Sequence, residues 1–209
     1  MGRPRAVDHE RQRDLILTQA TSAFAEIGYP SASMARLAAA CGLSKAALYH
    51  YFPSKEALLF ESLDRYTRRL IEKVDSVAAR KLPAADELGE LVRTLLIEYR
   101  DSRDLHIALL NDVRFLEPAQ RETIRAQERA VIAALGDCLR KVAPDRFSAD
   151  ERTPATMALL GMINFTFAWL RPDGPMSYER YARLVIDLWE RGLQVPAPQR
   201  SSQPADAAQ

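Results

Sequence analysis

The side chains able to do chemistry are spread along this chain in a pattern that argues against catalysis. His9, His50 and His106 are far apart, and the two cysteines, Cys41 and Cys138, are distant from each other and sit among apolar residues. No phosphate-binding glycine loop, dinucleotide fingerprint, nucleophile elbow or zinc-ligand spacing occurs. The chain is therefore expected not to be an enzyme and to use no metal or cofactor. Three other groupings ask for a partner instead. Gly2-Arg3-Pro4-Arg5 reads as an extended arm for a narrow DNA minor groove, where the potential is most negative, or equally as a frayed terminus. Arg121, Arg125 and Arg129 recur every four residues on one helix face, where pairing with Glu122 and Glu128 in solvent is the plainer reading. Asn164 and Thr166 interrupt the apolar run Met157–Leu170, and a buried amide needs a backbone or ligand partner.

The elements that must position these groups are helices. The chain has 209 residues, 47% of them hydrophobic, enough to bury a core. Its net charge of +1 is unevenly spread: residues 1–70 carry 10 Lys+Arg against 7 Asp+Glu, and the remainder 19 against 21. The start lacks a signal-peptide apolar stretch, and Met157–Leu170 is too short to span a bilayer. A cytoplasmic protein with free buried thiols and no membrane partner is expected. Alternation at period two never lasts, so the fold class is all-α. The spacing predicts helices over Asp8–Ile27, closed by Gly28; Met34–Ala40, capped by Ser33; and Lys45–Tyr51, capped by Ser44. After Pro53, a long helix capped by Ser54 runs to about Ala79. Further helices are predicted over Ala85–Arg103, Asp104–Val113, Pro118–Val142 and from Thr153-Pro154 to Leu170. A last one, capped by Ser177, ends at Arg191 before Gly192. From 195 to 209, Pro, Gln, Ser and Ala without apolar periodicity predict disorder.

The two short helices are the most informative feature. Each is too short to be stable alone, so each needs neighbours. Met34, Leu37, Ala38, Leu43, Leu48 and Phe52 would form their core, and Gly42 permits the sharp turn between them. This is the helix-turn-helix geometry, in which the second helix is presented to the DNA major groove. The stretch LAAACGLSKAALYHYFPSKEALL, residues 37–59, together with Phe24, Ile27, Gly28 and Tyr29, closely resembles the DNA-binding domain of the TetR family of bacterial transcriptional regulators. The resemblance covers residues 8–60. It implies that Ser44, Lys45, Ser33 and Lys55 meet phosphate, that Ala46 and Ala47 approach the bases, and that Tyr49 and His50 reach base edges or backbone. With Arg3 and Arg5 of the arm, these are the expected contacts to double-stranded operator DNA. Capping alone is the alternative for the serines, while Tyr51 and Phe52 read as core.

The resemblance also implies the architecture: an N-terminal three-helix DNA-binding domain over 1–56, with residues 1–7 as its flexible arm, a C-terminal helical ligand-binding and dimerisation domain over 57–194, and a tail. The final helices of the family form a homodimer interface, which falls here on Tyr181, Leu184, Val185, Leu188 and Trp189; the subunit's own core is the alternative. An effector pocket is expected among Tyr99, His106, Leu110, Asn111, Arg114 and Phe115 of the middle helices, with Asn164, Phe165 and Trp169. Arg114 in an apolar neighbourhood wants an anion, which Asp112 or Glu117 could also supply. Residues 109–129 and 159–193 are similar to a branch that represses catabolic operons and responds to CoA thioesters, with phenylacetate-catabolism repressors as the match. The alternative is a regulator of an efflux or stress gene responding to a free hydrophobic molecule.

Overall fold

The computed structural model describes residues 3–194. Among them are nine α-helices: α1 Arg3–Ile27, α2 Met34–Ala40, α3 Lys45–Tyr51, α4 Lys55–Ala78, α5 Ala84–Asp101, α6 Arg103–Asp112, α7 Pro118–Val142, α8 Ala149–Asn164 and α9 Tyr178–Gln194. Single 3-10 turns follow α6 (Val113–Phe115) and α8 (Thr166–Ala168). The all-α expectation holds, and α2, α3 and α7 fall on the expected residues.

Local chemistry sets the short helices. Ser33, Ser44 and Ser54 have extended backbones, and their hydroxyls accept the N–H of Arg36 (3.3 Å), Ala47 (3.1 Å) and Ala57 (3.2 Å). Gly42, at φ +64°, ends α2: its N–H donates to the Ala39 carbonyl, and the Leu43 N–H to that of Ala38. Gly28, at φ +77°, closes α1 in the same region of backbone space. Each cap contributes on the order of 1 kcal/mol. Fully burying Leu37 or Leu48 contributes about 1.5–3 kcal/mol each, so burial against α1 and α4 decides that these helices form. Ile16, Ala20 and Phe24 of α1 and Leu58 of α4 belong to the same core.

That core continues unbroken into the second half. There α4 packs against α1, α5, α6 and α7, α6 also packs on α1, α9 packs on α5, and α8 packs on α7.

Three expectations are corrected. The arm is helical from Arg3 onward instead of extended and flexible; Pro4 sits in the first turn, where its missing N–H has no helical acceptor to lose. Met1, Gly2, the side chains of Arg3 and Arg5, and the tail 195–209 lie outside the described residues. Second, α8 begins at Ala149, because Ser148-Ala-Asp-Glu151 is a capping box in which Glu151 Oε2 accepts the Ser148 N–H (2.9 Å), and Pro154 lies inside the helix. It ends at Asn164, short of Leu170. Third, Gly192 does not stop α9, which runs on to Gln194.

Candidate nucleic-acid interface and effector region

The short helix α3 is held from behind by Leu48, which is fully buried, and by Phe52 at its C-cap. Its other side is open. Ser44, Lys45, Ala46 and His50 are exposed, Tyr49 is 45% exposed, and Ala47 is half-buried. The Lys45 ammonium sits 5.9 Å from the centre of the Tyr49 ring. Ser33, Lys45, Tyr49 and Lys55 line one shallow depression of about 430 Å³ between α2, α3 and the start of α4. Arg36, exposed on α2 beside Ser33, adds a cation that the sequence reading passed over. It is the only basic residue of α2, among alanines, and gave no motif signal.

Lys55, expected at phosphate, also makes bonds within the chain. Its ammonium donates to the carbonyls of Tyr29 (3.2 Å) and Ala32 (3.1 Å) and lies 4.4 Å from the Tyr29 ring centre. It thus latches the α1–α2 turn, just before the Ser33 cap, to α4. The Tyr29 hydroxyl donates to Glu56 Oε1 at 3.0 Å. Burial pushes the Glu56 carboxyl up, but its own N–H, Ser54, Tyr29 and Lys55 outweigh that and hold it below its ordinary value. Behind α3, the His9 ring stacks on Tyr51 (4.8 Å between centres), and the Arg13 guanidinium sits 4.2 Å over Phe52 while pairing with Glu61 and donating to the Tyr51 carbonyl.

Of the expected effector residues, Tyr99, His106 and Asn164 come together, and the others lie apart from them. His106 is 2% exposed and fully partnered: Tyr99 stacks on it at 3.8 Å, Nδ1 meets the Tyr66 hydroxyl at 3.1 Å, and Nε2 meets the Asn164 carbonyl at 2.9 Å. Burial brings its pKa down to about 4, only partly offset by the Asn164 carbonyl, so the ring is neutral. A neutral ring has one N–H and a carbonyl can only accept, so Nε2 donates to the Asn164 carbonyl and Nδ1 accepts from the Tyr66 hydroxyl. Tyr99 and His106 are therefore core residues joining α4, α5, α6 and the end of α8. Leu110 is half-buried, and Asn111 is exposed with its amide on the Ile107 carbonyl (3.0 Å). Arg114 is exposed over the Phe115 ring (4.9 Å). Phe115 itself stacks on Tyr29 (4.9 Å), on the reader side of the molecule. Phe165 and Trp169 are 57% and 54% exposed. Only Asn164 keeps the character expected of it, a buried side-chain oxygen without a hydrogen-bond partner.

Comparison with known proteins decides the family. Residues 16–61 match the model of bacterial regulatory proteins of the tetR family, and residues 81–193 match that of the tetracyclin repressor-like C-terminal domain. The chain belongs to the TetR family. A TetR-family transcriptional regulator from Bordetella parapertussis 12822 shares 34% identity and a TM-score of 0.82, covering 85% of this chain and 93% of that one. The HTH-type transcriptional regulator YhgD of Bacillus subtilis is 24% identical, covering 87% of this chain and 96% of its own. AibR, solved in complex with isovaleryl coenzyme A and operator DNA, superposes with a TM-score of 0.76 at 24% identity, covering 85% and 97%; a likeness at that identity is one of fold. This TetR-family chain is a DNA-binding transcriptional regulator and not an enzyme.

The residues expected at a dimer interface divide sharply by burial in this TetR-family chain. Val185 is fully buried, the Tyr181 hydroxyl donates to the Met162 carbonyl (2.6 Å), and Trp189 Nε1 points at the Met162 sulfur (3.2 Å). These three serve the subunit's own core, which corrects the expectation for Val185 outright. Leu184 and Leu188, one helical turn apart, are 43% and 52% exposed. On α8, Met157 is exposed too, and Gly161 has open space where a Cβ would stand. Among the described residues, no helix is long and apolar enough to cross a membrane.

Proposed function

We propose that this TetR-family regulator acts in the cytoplasm as a homodimeric repressor of a catabolic operon and is released by an acyl- or aryl-CoA thioester. The reader comprises residues 1–56 and the effector and dimerisation half residues 57–194. The observation that carries the DNA-binding reading is the open side of α3, where a cation, a phenol, an imidazole and small residues are presented together by a helix anchored through Leu48. On this reading Ser33, Ser44 and Lys45 meet phosphate. Ala46 and Ala47 let α3 approach the base edges, which Tyr49 and His50 then reach. Two copies are needed to set two recognition helices about 34–36 Å apart on the operator. The exposed apolar residues Met157, Phe165, Trp169, Leu184 and Leu188 support a partner face made from α8 and α9.

The CoA-thioester reading is supported by the fold shared with AibR, whose complex holds isovaleryl coenzyme A and operator DNA. It also has a physical route. Phe115 of the effector half stacks on Tyr29, and Tyr29 is the anchor for Lys55 and Glu56 at the head of α4. A ligand that shifts α6 therefore pulls on the turn that places α2 and α3. It loosens DNA only by binding the DNA-incompatible arrangement more tightly. The experiment is a fluorescence-anisotropy titration of DNA flanking the gene, alone and with phenylacetyl-CoA, a long-chain acyl-CoA, phenylacetate and CoA. Saturable, salt-sensitive binding reversed by a thioester is expected. Binding that no thioester reverses would remove the effector reading and leave the DNA-binding one.

A further inference from the structure

We propose that His9 of α1 is a further operator contact, set on the DNA backbone beside His50, and that the two imidazoles take up protons as the operator binds. This rests on the reading of the open side of α3 as the DNA face. His9 reaches round the C-terminal end of α3. Its ring stacks on Tyr51, 4.8 Å between centres, and meets His50 edge to face at 6.4 Å. His50 and Tyr51 also meet edge to face, at 5.7 Å, so the three rings form one cluster. His9 and His50 are both exposed, and neither imidazole hydrogen-bonds to another described residue.

The charges around the pair leave room for phosphate. Glu10 Oε1 lies 3.9 Å from His9 Nδ1, but the Glu10 side chain is 65% exposed, and such a pair contributes little. Arg13, one turn further along α1, is held by Glu61 of α4 and by the Tyr51 carbonyl. On α3 itself the other charged group is Lys45, beside the Tyr49 ring, and no carboxylate of that helix competes for a charged His50.

Unperturbed imidazole titrates at about pH 6.5, so a modest field decides its charge near neutrality. Two imidazolium rings this close repel each other, and backbone phosphates supply the negative charge that offsets the repulsion. DNA therefore draws protons onto the pair, and by linkage added protons tighten DNA binding by the same factor. The chain has three histidines, and His106, brought down to about 4 by burial, stays neutral through the range in question. A histidine response there comes from His9 and His50. Asp112 and Glu128, whose carboxyls burial pushes up, belong to the effector half and are common to every variant compared below.

Fluorescence anisotropy on the full chain with DNA flanking the gene, from about pH 8.5 to about pH 6 at fixed salt, tests this. The proteins are wild type, His9→Gln and the double variant His9→Gln/His50→Gln. Glutamine stays polar and compatible with a helix but cannot titrate. Wild-type affinity is expected to rise about tenfold as pH falls, the worth of one unit of differential protonation, and the salt slope to steepen by about one counterion. In His9→Gln the rise should shrink to about threefold, the two rings sharing it equally, and in the double variant it should vanish. Wild-type affinity unchanged by pH overturns the inference. So does an equal rise in wild type and His9→Gln, or a rise that survives in the double variant. Should the double variant bind too weakly to measure, imidazole proton NMR titrations of wild type with and without DNA decide. Both exposed rings should titrate at higher pH in the complex, and unmoved titrations overturn the inference. Binding that Tyr49→Ala weakens but pH leaves unchanged overturns the inference and leaves the α3 reading standing. Wild-type affinity in both Tyr49→Ala and His50→Gln removes the α3 reading and the inference with it.

Discussion

The reader and the effector half place their polar and aromatic side chains in opposite ways. In the reader, the side chains suited to a partner, Lys45, Tyr49 and His50, point outward from a helix whose only fully buried residue is Leu48. In the effector half, the side chains that look most like ligand contacts, Tyr99 and His106, are turned inward: their rings stack on each other, and His106 uses its nitrogens on Tyr66 and on the Asn164 carbonyl. The apolar residues there that might have lined a pocket, Phe165 and Trp169, face out. A short capped helix can spare its outer face for function because its inner face is small. A bundle of long helices satisfies most of the polar groups it buries from within, the Asn164 side-chain oxygen being an exception.

The largest effects are expected where the second half turns a face outward. Leu188→Glu should fold, sediment as a monomer and lose operator binding altogether, whereas Val185→Glu, which buries a charge in the subunit core, should fail to fold. A folded Leu188→Glu protein that still sediments as a dimer would reject the α8–α9 face. The next effect is in acid. The folded His106 has its pKa near 4, and an unfolded one titrates at about 6.5. Between those values the unfolded chain takes up a proton that the fold refuses. Stability is therefore full above pH about 6.5 and falls by up to about 3 kcal/mol as pH drops to 4. Urea unfolding across that window should show this loss in wild type and not in His106→Asn; equal losses in both would place the acid sensitivity elsewhere.

A smaller effect separates latch from contact at Lys55. With two donors on the Tyr29 and Ala32 carbonyls, Lys55→Ala should lower unfolding free energy by about 1.5 kcal/mol. If stability is unchanged and the salt slope of operator binding instead falls by about one counterion, Lys55 belongs with the phosphate contacts. The smallest effect is expected on the outer face of α3. Tyr49→Ala should change unfolding free energy by less than about 0.5 kcal/mol, as surface substitutions do. A larger loss would make Tyr49 part of the packing.

Legibility in the sequence follows the same division. The reader could be read almost residue by residue because its boundaries are local: Ser33 and Ser44 as caps, Gly28 and Gly42 at positive φ, Pro53 ahead of α4. The start of α8 was equally local, in the Ser148–Glu151 capping box, but Thr153-Pro154 drew the boundary inward. The rest depended on distant packing. Nothing near Lys55 in the chain tells that Tyr29 and Ala32 will face its ammonium. Tyr181, Val185 and Trp189 share α9 with Leu184 and Leu188, and only the placement of α8 and α5 decides which of them is covered.

The most direct test of the whole account is operator affinity measured by anisotropy for wild type, Tyr49→Ala and His50→Ala, with the folded fraction of each checked by circular dichroism. Removing a base-edge contact should weaken binding to the specific operator by about 1–3 kcal/mol, with non-specific DNA binding and folding little changed. If both variants hold the operator as tightly as wild type while remaining folded dimers, the open side of α3 is not the surface that reads DNA.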